Sequence, residues 1–283
     1  MTGSLFGRRG RRSLGIALVA TFVLGACTVS QDQEVEIGAE NAAQINEQLP
    51  LVTDPAVNDY VNAMGDSIAR LTTRGDLGWH FYIVDSPEVN AFALPGGFIY
   101  VNRGLIERAD RADELAGVLG HEIGHVVRRH SIKQMQQAQK ANVGIALTCT
   151  LTKVCQSDAA RVAINVGGTA LFARHSRLDE SQADSEAVGN VVRAGYDPEG
   201  IPALFEILIA ERRTSPTIVD AFFASHPLEE KRVADAERVI GGLDPSSLRG
   251  LVKDTPAFQA FKRRLAQLPP SPAPRGAQEQ IVP

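Results

Sequence analysis

The chain has 283 residues, 44% of them hydrophobic and 22% charged, with 33 acidic against 29 basic side chains and a formal net charge of −4. That length suffices for one large core, or a core with a small appendage, and no internal repeat divides it. The acidic balance argues against nucleic acid as a partner, which needs a basic face.

Residues 1–26 read as a leader. Arg8, Arg9, Arg11 and Arg12 form a positive stretch, and the thirteen residues from Leu14 to Ala26 carry no charge. Such a run is too short to span a bilayer but suits a signal-peptide core. It ends in Leu24-Gly25-Ala26-Cys27, which resembles the lipobox of bacterial lipoproteins. Cys27 is then the lipidated first residue of the mature chain, and 27–33 is a tether. Several acyl chains, at about 0.8 kcal/mol per buried methylene, would hold it firmly on a bilayer surface. Thr28 follows the cysteine in place of an aspartate, and by resemblance to enterobacterial sorting this favours the periplasmic face of the outer membrane. Loss of the leader arginines leaves 25 basic against 33 acidic side chains, a net charge of −8.

A folded domain is expected over 34–267. Amphipathic helices are predicted near 36–48 and 54–72, then a β-rich strand at 79–85, in which His80 reads as a satisfied core residue. Asn90–Leu94 and Phe98–Asn102 flank Pro95-Gly96-Gly97 and read as a strand pair around a turn.

The next segment, from Arg111 to Gln137, has a helical pattern and contains His121-Glu122-Ile123-Gly124-His125. Residues four apart lie one turn above each other, so both imidazoles can grip one metal ion. Glu122 beside them is placed to take a proton from the attacking water of a zinc peptidase. A catalytic site needs a third protein ligand. A histidine six residues past His125 is absent, because Ser131 stands there and His130 misses the register by one. The segment Ser176–Ala194 supplies another candidate: Glu180 and Asp184 share one helix face, and Gly195 marks its stop. Glu180 can ligate, and Asp184 can accept the free N–H of a ligating histidine and so fix its tautomer.

Between these helices, Val143–Leu151 and Val162–Ala173 are apolar but too short to cross a membrane, and read as helices covering the metal helix. Cys149 and Cys155 are either a disulfide, plausible in an oxidising compartment, or two buried thiols. Pro227 suits the first position of a helix that stops at Gly241-Gly242. The proline-rich segment 268–283 has the composition of a disordered tail.

Together the motifs resemble the M48 family of zinc metallopeptidases. The resemblance covers about 34–240: EVEIGAENAAQINEQLPLVTDPAVNDYVNAMG, NAFALPGGFIYVNRGLI, the His-Glu-x-x-His pentad, Glu180 with Asp184, and His226-Pro227 followed by Arg232. It implies an α+β, mainly helical, zincin-like (gluzincin) domain with a small β-sheet beside the active-site helix. It also implies one Zn²⁺ per chain on His121, His125 and Glu180, with Glu122 as general base. Cobalt or manganese would accept the same ligand set. Asn90, Ala91, Phe92 and Ala93 become the candidate edge that holds substrate by strand addition. His226 and Arg232 are placed near the cleft, where His226 is either an oxyanion donor supported by Arg232 or a latch that swings onto the metal, with Glu211–Ser225 moving as a flap. His130 and His175 are expected to cap or pair rather than ligate.

The function so implied is a lipid-anchored endopeptidase of the bacterial envelope acting on unfolded or misassembled envelope proteins, with the outer-membrane assembly machinery a candidate partner. The rivals are a zinc-dependent cell-wall amidase and a non-catalytic chaperone or assembly-factor lipoprotein. Glu122 speaks against the last, because a purely structural zinc site needs no base.

Overall fold

The computed structural model of the protein describes residues 29–139, 175–227 and 230–272. The leader with Cys27, both apolar runs with Cys149 and Cys155, and residues 273–283 lie outside the described residues.

Helix α1 (Gln31–Gln48) and helix α2 (Pro55–Ala69) open the domain. Asp54 starts α2 by accepting the Val57 N–H, and Pro55 takes a first-turn position whose N–H would have no helical partner. A three-stranded sheet follows, in the order β1-β3-β2: β1 (His80–Val84) runs parallel to β3 (Phe98–Asn102), and β2 (Ala91–Leu94) antiparallel to it. The turn between β2 and β3 uses Gly96 and Gly97 at φ 79° and 104°, a region costly for residues with a Cβ.

The central strand β3 is buried throughout because both faces of the sheet are covered. Phe98 and Tyr100 join Val84, Leu94 and Ala42 of α1 on one side, while Ile99, Val101, Phe81 and Ile83 face the main core on the other. His80 differs from the expected core residue. It is exposed and stacks on Phe98, because the strand alternation that turns Trp79 and Phe81 inward turns His80 out.

After the short helix α3 (Arg103–Arg108), helix α4 (Ala112–Val127) crosses the core, and every residue from Ala112 to Val126 is buried. The Glu114 carboxylate accepts the N–H groups of Asp110 and Arg111, and Asp254 accepts that of Ala112. The expected helix over 111–137 is broken at its middle: α4 ends at Val127, Arg129 takes φ 57°, and helix resumes over 130–139. Arg129 lies 2.7 Å from the buried Glu34, and Arg74 binds both that carboxylate and the Val126 carbonyl. These long-range ion pairs hold an arginine in the left-handed region, which the local sequence does not announce.

Helix α5 (Arg177–Arg193) begins with a reciprocal cap between Ser176 and Asp179, and Gly195 at φ 88° follows its end. It packs closely on α4. A Cβ on Gly124 would stand 2.9 Å from the Ala183 carbonyl oxygen, and one on Gly120 would stand 2.9 Å from Val191. Helices α6 (Gly200–Thr214), α7 (Pro216–Ser225), α8 (Glu230–Gly241) and α9 (Pro256–Ala266) complete the described residues. The segment expected as a turn-prone flap is therefore mostly helical, with its break at Ser215. The start of the segment read as a tail is docked: Arg103 donates to the Pro269 carbonyl, and Ser271 to Asp85. Among the described residues no helix is long and apolar enough to cross a membrane.

Candidate metal centre

Helix α4 places His121 and His125 one turn apart, with their Nε2 atoms 3.0 Å from each other. The close crossing of α5 brings Glu180 opposite, 3.6 Å from His121 Nε2 and 3.5 Å from His125 Nε2. His226, just past the end of α7, points Nδ1 into the same space, 3.3 Å from His121 Nε2 and 3.3 Å from Glu180. One ligand atom from each of these four residues lies within 4.8 Å of every other. Tetrahedral ligands at about 2.0–2.1 Å from an ion stand roughly 3.3 Å apart, so the spacing fits a single small cation.

Hydrogen bonding around the donors agrees. His121 turns Nδ1 to Asp184 at 2.9 Å, which leaves Nε2 as a lone pair facing the other donors. Arg232 spans both carboxylates: Nε and Nη2 donate to Asp184 at 2.8 and 2.6 Å, and Nη1 donates to Glu180 at 2.6 Å. Its remaining reach goes to the Pro227 carbonyl, and its guanidinium lies over Phe205. Arg232 thus stands behind the ligand helix with its donors engaged.

Burial pushes the Glu180 carboxyl up, but His226, His121 and Arg232 outweigh it and hold it at about 2. Burial likewise opposes charge on Asp184, and Arg232 with His121 turns the balance downward. His125 is pushed well below the usual imidazole range, by burial first and then by the neighbouring histidines. Glu122 behaves oppositely to Glu180. Burial raises it, and among the described residues neither carboxylate oxygen has a hydrogen-bond partner. A buried carboxylate left without partners beside three convergent donors is placed for a water or a substrate rather than for packing. His226 Nε2 lies 3.6 Å from one of its oxygens.

Five of the six histidines converge here. His130 and His175 surround His125, with His130 Nδ1 2.9 Å from His125 Nδ1 and the His175 ring 3.9 Å away between centroids. The sequence reading gave these two no place at the metal site, because nothing local marks the turn at Arg129 that returns His130 onto the preceding helix. His175 is also paired, to Gln134 at 2.9 Å, and donates its backbone N–H to Ser225.

The candidate substrate strand is β2. Ala91 and Leu94 face inward, Phe92 stacks on Tyr100, and among the described residues no strand pairs with its outer side. Asn90 just before it accepts the Asn102 N–H, while its side-chain oxygen is buried without a hydrogen-bond partner among the described residues.

A mainly helical domain with a small mixed sheet beside a buried His-x-x-x-His helix, closed by a glutamate from a second helix, is a zincin-type metallopeptidase domain. The sequence profile of Peptidase family M48 matches residues 55–240, and the chain belongs to that family. It is 30% identical over 227 residues to the beta-barrel assembly-enhancing protease of Escherichia coli (strain K12), covering 77% of this chain and 46% of that protein. The same figures hold for the protein of that name in Yersinia pestis. It is 28% identical over 179 residues to the mitochondrial metalloendopeptidase OMA1 of Schizosaccharomyces pombe, covering 63% of this chain and 51% of the relative. The chain thus spans about half the length of the curated relatives it matches.

Proposed function

We propose that this chain is a zinc-dependent endopeptidase held by a lipid on Cys27 at the periplasmic face of the bacterial outer membrane, where it cleaves unfolded or misassembled envelope proteins. The observation that carries the activity is the buried Glu122 carboxylate, without a hydrogen-bond partner among the described residues, beside three convergent donors, His121, His125 and Glu180. Zinc is the ion that best suits two imidazoles and a carboxylate at tetrahedral spacing, and when bound it supplies a Lewis acid that polarises the scissile carbonyl and acidifies water. Glu122 accepts the proton of the attacking water and returns it to the leaving amine; its burial favours the protonated form it must pass through. Asp184 keeps the His121 proton on Nδ1, and Arg232 fixes Asp184 and Glu180 against each other. Extended substrate adds to β2, the edge strand of the three-stranded sheet, at Asn90–Ala93.

His226 would be a fourth donor to an ion bound here, and an ion held by four protein donors would have no open position, so on this reading the arrangement is a resting one. The four donors and Glu122 are at most 3% exposed, so a peptide reaches them only after a movement that opens the site, for which α7 with His226 is our candidate. The envelope substrate and a working relation to outer-membrane assembly are supported by the lipobox-like leader and by the likeness to the bacterial beta-barrel assembly-enhancing proteases.

The test is mass spectrometry of cleavage products from denatured outer-membrane protein and from peptidoglycan. Wild type should cut the protein alone. Glu122→Gln should keep one zinc per chain yet lose roughly 10²- to 10⁴-fold in rate. Undiminished cleavage by the variant overturns the role of Glu122, and release of peptidoglycan fragments instead assigns an amidase.

A further inference from the structure

His121 and His125 are held by different chemistry. The Nδ1 of His121 meets the Asp184 carboxylate, whereas the Nδ1 of His125 meets another imidazole, that of His130, at 2.9 Å. His130 is fully buried, and its far nitrogen Nε2 stands 3.1 Å from the Gln182 side-chain oxygen and 3.5 Å from the Asp179 carboxylate.

A neutral imidazole carries one N–H, so these distances fix where each proton sits. Nε2 of His130 faces two acceptors and therefore bears the hydrogen, which leaves Nδ1 of His130 as a lone pair. His125 turns Nε2 toward the other metal donors and must present its own lone pair there, so its hydrogen is on Nδ1. The protons then align without conflict: His125 Nδ1–H donates to His130 Nδ1, and His130 Nε2–H donates to Gln182. We propose that His130 is a positioning residue for the metal site, which fixes the tautomer and ring plane of His125 through an imidazole-to-imidazole hydrogen bond anchored on α5. The inference rests on the metallopeptidase reading above. It also gives the left-handed turn at Arg129 a purpose, because a continuous helix would carry residue 130 away from residue 125.

Such partners of ligating histidines set metal affinity over about 10- to 100-fold. Two measurements on the full, zinc-loaded chain test the assignment. Nitrogen-15 spectra of the histidine rings should show His130 neutral with its hydrogen on Nε2, and His125 with its hydrogen on Nδ1. Competition with a chromogenic chelator should show zinc bound roughly 10- to 100-fold more weakly by His130→Leu. His130→Asn, whose side-chain oxygen can take the place of Nδ1, should recover most of that loss. A wild type that binds no zinc would overturn the metallopeptidase reading itself. A wild type that binds zinc, with equal affinity in His130→Leu, would overturn only the positioning role. So would a hydrogen on Nδ1 of His130. If His130→Leu fails to fold, the ring spectra and the asparagine variant decide.

Discussion

The metal site has a floor and a cover that are built to different standards. The floor is the crossing of α4 and α5: both helices are capped, their backbones approach through Gly120, Gly124, Ala183 and Ala187, and Arg232 ties the two carboxylates behind them. The cover is α7, ten residues entered from Ser215 without a side-chain cap. An isolated helix of that length is marginal in water. It is attached through Val219, Phe222 and Phe223, with one backbone bond from Val89 to Ile218 and another from His175 to Ser225. Ser225 spends its hydroxyl on its own helix. Three donors therefore sit on the two tightly crossed helices, and the fourth, His226, follows a ten-residue helix without a side-chain cap.

The largest effect should come from breaking the floor. Glu180→Ala removes one of three fixed donors and should leave a folded chain without stoichiometric zinc by metal analysis. Asp184→Asn should retain the metal but bind it roughly 10- to 100-fold more weakly, because every ligand stays while the support of His121 and the pairing with Arg232 are disturbed. Equal affinity in both variants and wild type would remove α5 as the source of the third ligand.

Breaking the cover should act in the opposite direction. On the latch reading, His226→Ala should raise basal cleavage and quicken extraction of the metal by a small chelator, since the blocking donor is gone. A fall in rate of about 100-fold with unchanged chelator access would instead make His226 an oxyanion donor.

Two glycines sharpen the comparison at smaller scale. Gly124→Ala forces a Cβ to 2.9 Å from a backbone oxygen and should destabilise the fold by about 1–3 kcal/mol in denaturant unfolding. Gly189→Ala, also on α5, meets nothing nearer than the Arg193 side chain at 3.4 Å and should stabilise by about 0.5–1 kcal/mol. Effects of the same sign at both positions would contradict the close crossing.

The smallest effect is with pH. Glu180, held at about 2, and Asp184, held below its usual range, both bind protons less readily folded than unfolded. Their stabilisation of the metal-free chain is complete above roughly pH 5 and is lost as pH falls through the folded-state values. Thermal melts should show that slope, and Asp184→Asn should flatten it.

The pentad, the Glu180-to-Asp184 spacing and the strand pair around Pro95-Gly96-Gly97 were legible in the sequence because each is local. A period of 3.6 or 2, a cap or a glycine turn is written in neighbouring residues. His80 was misread because one residue of strand register decides between core and surface. The helix break after Val127 depends on Glu34, Arg74 and Arg129, whose pairing spans the chain and has no signature of its own. What the sequence by itself determined is the chemistry, namely which donors exist and which helix carries each pair. Packing settles that His226 Nδ1 stands among the donors, that His130 meets His125, that Arg232 binds Asp184 and Glu180, and that Glu122 has no hydrogen-bond partner among the described residues. Those are matters of distance between remote segments, set by packing after the local elements have formed.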